Sequence, residues 1–577
     1  MIFSVWAPAA RAVDLVLAER RIALQPAVDG YWRTEVEHAQ AGDAYRYSVD
    51  GGPAFPDPRS RWQPDGVHGS SQVIDVAELR RIRHAEFRPR PLREAVIYEL
   101  HVGTFTPEGT YAAAQGRLQH LVDLGITHVE LMPLATFPGA RGWGYDGVDL
   151  YAPLPAYGTP ADLARLVSEC HQRGLAVLID VVYNHLGPDG NYLASFGPYF
   201  TGRVKTPWGE AINFDGPHSD GVRSFVIDNA LMWLEDYGFD GLRLDAVHAI
   251  FSFEAVHVLE ELAVAVRTLG DKLNRSLVLI AESDLNDPRL VHDSVRGGYG
   301  LTAHWADDFH HAVHRYFTGE TAGYYADFHG LEDIATALRD GYVYQGRYSA
   351  HRQRRHGRPP LGVHADQLVI CAQNHDQIGN RARGERLSML LNAPQLKAVA
   401  ALVLLSPFVP LLFQGEEWGA RTPFLYFTDH QDAELGRLVA EGRRNEFSAF
   451  AWQADVPNPQ APETFERSKL DWSELTRPEH ADLLAWHRRL IGLRFDNLER
   501  TGDARPSVEF DAAARWLTFT SGGLLAVFNF GAKAQQVPMA PGDWELVLSS
   551  IAHDLEATME LPAHGSRIFR RGLRAPP

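Results

Sequence analysis

Eight apolar runs of strand length alternate with amphipathic segments between residues 95 and 416, and short alternating runs broken by turn residues fill both ends of the 577-residue chain. These observations predict an α/β protein: a (β/α)8 TIM barrel with an N-terminal β-sandwich and a C-terminal antiparallel β-domain. The three parts are expected at residues 1–88, 89–495 and 496–577.

The first part rests on Val13–Leu17, Gly30–Val36 and Tyr45–Val49, which alternate apolar and polar residues, with Asp29-Gly30 and Asp50-Gly51-Gly52 as hairpin turns. Arg88-Pro-Arg-Pro91 then reads as a stiff extended linker. The barrel strands are expected within Ala95–Val102, Thr127–Leu134, Ala176–Asn184, Gly241–His248, Ser276–Ser283, Leu301–Asp307, Leu368–Asp376 and Val409–Glu416. Between them lie amphipathic stretches such as Tyr111–Leu124, Ala161–Arg173, Val222–Tyr237, Phe253–Leu269 and Leu390–Leu405. A span of about 400 residues is long for this fold, so sizeable loops are implied. Residues 186–218 and 318–366, rich in Gly, Pro, Tyr and Arg, are the expected insertions on the catalytic side. Short alternating strands return in Arg515–Thr520, Leu524–Phe530 and Trp544–Leu548.

Lys plus Arg total 55 against 73 Asp plus Glu, a net charge of −18. An acidic surface argues against nucleic acid or an anionic membrane as partner and suits a neutral ligand. No apolar run reaches the about 18 residues of a membrane span. The N-terminus, Met-Ile-Phe-Ser-Val-Trp-Ala-Pro, lacks the layout of a signal peptide. With only Cys170 and Cys371 there is no disulfide framework, and a cytoplasmic location is expected.

The chemistry centres on Asp240-Gly-Leu-Arg-Leu-Asp-Ala-Val-His248, read as a buried strand in which Arg243 and Asp245 share one face. The guanidinium keeps the carboxylate ionised and aimed, as a nucleophile requires. In this barrel class polar residues at the C-terminal ends of strands face the active site. Those ends carry Asn184 and His185, then Arg243 and Asp245, then Glu282, then His375 and Asp376, each just after an apolar run. Three carboxylates around one mouth suit glycoside cleavage, which needs one ionised and one protonated carboxyl flanking the bond. Asp245 is the candidate nucleophile. Glu282, following Leu-Val-Leu-Ile-Ala, is the candidate acid because that apolar approach is expected to raise its pKa. Asp376 is expected to hold ring hydroxyls and favour the positively charged transition state. The spacing that separates retention from inversion stays open at this point.

Asp180-Val-Val-Tyr-Asn-His185, Gly241-Leu-Arg-Leu-Asp245, Ala281-Glu282 and Asn374-His375-Asp376 resemble, in order and spacing, the four signature regions of the α-amylase superfamily. The resemblance spans the barrel and implies a retaining mechanism, with Asp245 as nucleophile, Glu282 as acid/base and Asp376 as transition-state stabiliser. It further implies that Arg243, His185, His375 and the stacking Tyr145 bind the sugar on the non-reducing side of the scissile bond. Arg141–Pro153, Thr206-Pro-Trp-Gly209, Asp228–Trp233, Ala281–Arg289, Asp307–His311, Asn374–Asn380 and Phe424–His430 resemble the trehalose-releasing hydrolases of that superfamily. The implied substrate is maltooligosyltrehalose, an α-glucan, with His248, Asp308 and Gln377 contacting the leaving half.

His310 and His314 lie four apart beside Asp307 and Asp308, a metal-like spacing, but no third ligand is compelled and no metal or other cofactor is expected. Arg352-Gln-Arg-Arg-His-Gly-Arg358 is read as a solvated or mobile loop. Two other functions remain: a branching or debranching enzyme of the same superfamily, and a non-catalytic glycan-binding protein on a degenerate barrel. The intact carboxylate trio weighs against the last.

Overall fold

Each apolar run contributes one strand to a closed parallel barrel in the computed structural model, which describes residues 1–448, 456–497, 505–551 and 560–572. The strands are β1 (Ile97–Leu100), β2 (His128–Leu131), β3 (Ala176–Val181), β4 (Gly241–Leu244), β5 (Val278–Ala281), β6 (Ala303–Trp305), β7 (Leu368–Cys371) and β8 (Val409–Phe413). They follow one another around the ring in chain order, and β8 pairs back onto β1. All of their residues are buried, which is why they read as continuous apolar runs rather than alternating ones. The strands stop two to five residues before the end of the apolar-to-polar run, and the polar remainder begins the loop over the mouth.

The crossovers are helical, as the amphipathic stretches require. Helix Pro160–Gln172 opens with Thr159 as N-cap, a Thr159–Asp162 capping box and proline in its first turn, and it buries Leu163, Leu166 and Val167. Helix Ser219–Met232 runs on into a wider turn, Trp233–Tyr237, and ends at Gly238 (φ 84°), where a left-handed residue is needed to stop it. The stretch expected as a sixth strand, Leu301–Asp307, ends as strand at Trp305, and Asp307 opens a helix, Asp307–Thr318. The insertion at 318–366 is likewise structured, with a helix, Leu331–Asp340, and a hairpin, Gln345–Ser349 with Arg354–Gly357. The basic run at 352–358 is therefore part of a paired hairpin rather than a free loop, and Arg352 is bound to Asp284 at 2.8 Å.

At the N-terminus, Ile2–Trp6, Tyr31–Glu35 and Gln25–Pro26 form one antiparallel sheet. Arg20–Ala23, Val13–Leu17, Ala44–Val49 and Ala54–Phe55 form a second. The Asp29-Gly30 and Asp50-Gly51 turns both place two successive residues at positive φ, which a tight hairpin turn of this hand demands. This unit is anchored to the barrel by Arg59–Asp228 (2.7 Å) and Arg61–Asp236 (2.6 Å). At the other end, Ser507–Asp511, Trp516–Ser521, Leu524–Asn529, Ser566–Arg571 and Trp544–Ser549 form a five-stranded antiparallel sheet in that spatial order. No helix among the described residues is long and apolar enough to cross a membrane. Cys170 and Cys371 are buried free thiols.

Candidate active site

The C-terminal ends of β3, β4, β5 and β7 bring the predicted carboxylates to one mouth. Arg243, on β4, is fully buried, a position a guanidinium holds only when its charge is matched. Its Nη1 donates to both oxygens of Asp180 on β3 (2.9 and 2.8 Å) and to Asp245 Oδ1 (2.7 Å). Its Nη2 lies 3.5 Å from Glu282 Oε2, and its face covers the Trp305 ring at 4.2 Å. Asp245 follows β4 directly. Its second oxygen accepts from the Asn184 side-chain amide (2.7 Å), so both oxygens are fixed and rotation of the carboxylate is arrested.

Ala246, the next residue, sits in the left-handed region (φ 38°, ψ 50°), a conformation that strains any residue with a Cβ. That turn aims the Ala246 amide at Glu282 Oε2. The strain therefore has a use: it engages one oxygen of Glu282 and leaves Oε1 to carry a proton. Burial pushes the Glu282 carboxyl well up, and Asp245, Asp376 and Asp307 add to this against the opposing pull of Arg243. One carboxyl is thus pinned by donors and its neighbour is biased toward its protonated form.

Asp376 is the most open of the three, its side chain 38% exposed, with Oδ1 accepting from the Asn380 amide at 3.1 Å. His375 beside it is fully enclosed. Its Nδ1 meets Glu99 Oε1 at 2.5 Å, its Nε2 meets the Tyr145 hydroxyl at 2.7 Å, and the Tyr145 ring stacks on it (5.2 Å, 21°). Tyr145 also donates to Asp180 (2.6 Å), while part of the residue remains open to solvent. Burial pushes the His185 imidazole below its usual range against the pull of Asp245 and Asp146; it bonds Asn184 and the Tyr145 carbonyl.

On the leaving-group side, His248 is exposed at the rim and Gln377 is half-buried with Oε1 3.5 Å from the Tyr324 hydroxyl. Asp308 does not face the mouth. It is buried, and its Oδ2 accepts from the Asn286 amide (2.7 Å) and the backbone N–H groups of Val343 and Tyr344 (2.7 and 2.8 Å), so it ties the insertion to the barrel. Its neighbour Asp307 is half-buried, and no hydrogen bond or ion pair to its carboxyl is found among the described residues. Burial, with Asp284 and Asp376 nearby, pushes Asp307 up to about 7. On a helix one residue turns the side chain by about 100°, which separates the surroundings of these two aspartates.

Among the described residues no cluster of His, Cys, Asp and Glu could hold a metal. His310 bonds the Ala372 carbonyl (2.6 Å) and the Tyr325 hydroxyl, and His314 bonds Glu320 (2.9 Å).

A family profile for the alpha amylase catalytic domain matches residues 86–197, and one for a domain of unknown function matches residues 501–567. The Malto-oligosyltrehalose trehalohydrolase of Arthrobacter ramosus is 51% identical, covering 90% of this chain and 91% of its own. The protein of the same name from Rhizobium sp. (strain M-11) is 47% identical, covering 98% and 97%. This chain belongs to the malto-oligosyltrehalose trehalohydrolase family. A crystal structure from Salmonella typhimurium, assigned provisionally as an alpha amylase, superposes with a TM-score of 0.89 at 38% identity, covering 99% of this chain and 97% of that one.

Three residues at or behind the site are given no role by sequence reasoning in this family member. Trp208, at the tip of the Phe200–Thr206/Gly209–Ile212 hairpin, is 48% exposed and stacks on the His185 ring (4.5 Å, 9°). An exposed tryptophan beside a turn was the available signal. Glu99 on β1 and Glu130 on β2 are the others, adjacent in the ladder and both 1% exposed. Their signal was a carboxylate inside an otherwise apolar strand.

Proposed function

We propose that the protein hydrolyses the α-1,4-glucosidic bond next to the terminal trehalose of maltooligosyltrehalose, releasing trehalose and a maltooligosaccharide with retained configuration. The observation that carries this is the asymmetry of two neighbouring carboxyls. Asp245 has both oxygens held by donors, whereas Glu282, touching the same guanidinium, keeps one oxygen free and its pKa raised. Contact of both with one arginine supports the close separation, about 5–5.5 Å, of a retaining pair.

In the first step Glu282 gives its proton to the glycosidic oxygen while Asp245 forms a bond to the anomeric carbon, and trehalose departs. In the second, the Glu282 carboxylate takes a proton from water, whose oxygen attacks the same carbon and frees Asp245 and the maltooligosaccharide. Asp376, open at the mouth, holds ring hydroxyls and favours the cationic transition state. Arg243, His185, His375, Tyr145 and Trp208 frame the glucose on the maltooligosyl side. His248 and Gln377, with Asp307 in place of Asp308, frame the trehalose.

Product analysis on maltotriosyl-trehalose tests the reading. Trehalose plus maltotriose is expected, and glucose alone or no reaction would overturn it. New α-1,6 linkages formed from amylose without trehalose release would favour a branching enzyme instead.

A further inference from the structure

Glu99 lies on β1, behind the site and out of reach of any sugar, yet it grips the residue before Asp376 twice. Its Oε2 accepts the His375 backbone N–H at 3.0 Å and its Oε1 accepts Nδ1 of the same residue at 2.5 Å. We propose that Glu99 is a positioning residue, a clamp that fixes both the backbone and the ring of His375 in the imidazolium form and so sets where Asp376 stands. The proposal rests on the trehalohydrolase reading for its activity test, though not for its geometry.

Proton counting supports the clamp. The Tyr145 oxygen lies between Asp180 Oδ2 (2.6 Å) and His375 Nε2 (2.7 Å) and owns a single hydrogen. Asp180 already receives two contacts from Arg243 and is the carboxylate of that pair, so the tyrosine hydrogen points to it. His375 Nε2 then donates to the tyrosine oxygen, and with Glu99 as the carboxylate of the clamp Nδ1 donates to it. Both ring nitrogens carry protons. Without the Glu99 charge, nothing on the β1 side matches that cation.

The groups around His375 are Glu99 on β1, His101 just after that strand, Glu130 on β2, Asp180 on β3, Arg243 on β4, Trp305 on β6, Trp143 and Tyr145 from the loop after β2, and Asp376; His101 is pushed down to about 4 by burial and adds no competing charge. Burial and Arg243 oppose a charge on the ring; Glu99 and Asp376 favour it and prevail, raising His375 to about 9. Glu130 makes no hydrogen bond with either oxygen among the described residues, and burial together with Glu99 and Asp180 pushes it well up, which favours its neutral form beside the clamp.

Glu99→Gln is the test, made in the full chain. A glutamine offers one acceptor where two donors must be met, so His375 falls back toward an ordinary histidine. Hydrolysis of maltotriosyl-trehalose is expected to keep its acid-side rate within about tenfold and to lose activity at a pH at least one unit lower than wild type, with KM little changed. A drop of equal size at every pH, or a lowered melting temperature with the pH profile intact, would reduce Glu99 to a structural residue and overturn the proposal. Should the variant not fold, the nitrogen-15 signals of the wild-type histidines decide: two protonated nitrogens on His375 at pH 7.5 are expected, and a neutral ring there refutes the clamp. Absence of trehalose from the wild-type reaction would instead sink the functional reading and leave the histidine result standing.

Discussion

Replacing Arg243 by methionine keeps a long apolar stem in a fully buried slot but removes a cation that touches Asp180, Asp245 and Glu282. Deleting one partner of a buried ion pair costs about 3–5 kcal/mol. Asp180 keeps the Tyr145 hydroxyl and Asp245 keeps the Asn184 amide, which argues for the lower end. A loss of about 3 kcal/mol borne by the nucleophile corresponds to roughly 100-fold in kcat/KM. Arg243→Lys should be milder, because three of the four carboxylate contacts come from Nη1 alone and an ammonium can serve them. What lysine forfeits is the Nη2 approach to Glu282 and the planar cover of Trp305, worth about 1–2 kcal/mol, or roughly tenfold. The assay is trehalose release from maltotriosyl-trehalose across a substrate series, with circular dichroism to establish folding. A folded methionine variant within fivefold of wild type, or a lysine variant as damaged as the methionine one, would refute the reasoning.

Glu282→Gln should cost about 10²–10⁴ in kcat on the natural substrate, and far less on maltotriosyl fluoride, whose leaving group needs no proton; equal losses would exclude the acid role. The rate needs Glu282 protonated and the nucleophile ionised, so the wild-type kcat/KM profile should be bell-shaped, and the raised Glu282 carboxyl contributes to its alkaline limb. Glu130 is raised as well, so its folded-state preference for the neutral form is a stability present below the ordinary carboxylate range and lost as pH climbs. Glu130→Gln should accordingly match wild type near pH 5 and melt higher near pH 9; parallel melting curves would contradict this. Trp208→Ala should raise KM about 2–10-fold, the worth of one stacked ring, and leave kcat nearly unchanged. Above pH 7, where its carboxyl is charged, Asp307→Asn should lower kcat/KM on maltotriosyl-trehalose about 10–100-fold, as loss of a charged acceptor does, while hydrolysis of an unmodified maltooligosaccharide falls less; identical losses would remove Asp307 from the trehalose side.

The eight strands are legible in the sequence because burial on both faces leaves no alternation, and a continuous apolar run between amphipathic stretches fits little besides a barrel strand. The strand ends are not, since hydrogen bonding between neighbours, not apolarity, decides where a ladder stops. Leu301–Asp307 shows the consequence: its polar end, which reads as strand, is the first turn of a helix that buries Asp308 and leaves Asp307 half-buried and near Asp376. Asp245, Glu282 and Asp376 stand out because each ends an apolar run. Glu99 does not, because its meaning depends on His375, which is 276 residues away. Trp208 is visible as a residue but not as a wall of the site, since only the hairpin's fold brings its ring over His185.

The pairing of β8 with β1 carries a consequence for how the molecule comes of age. Asp376 stands after the seventh strand, yet its neighbour is gripped from the first, so a chain emerging from the ribosome owns every reactive group before it owns a working arrangement of them. Activity should therefore appear abruptly when the last strand zips home, and turnover can serve as a clock for ring closure in refolding experiments.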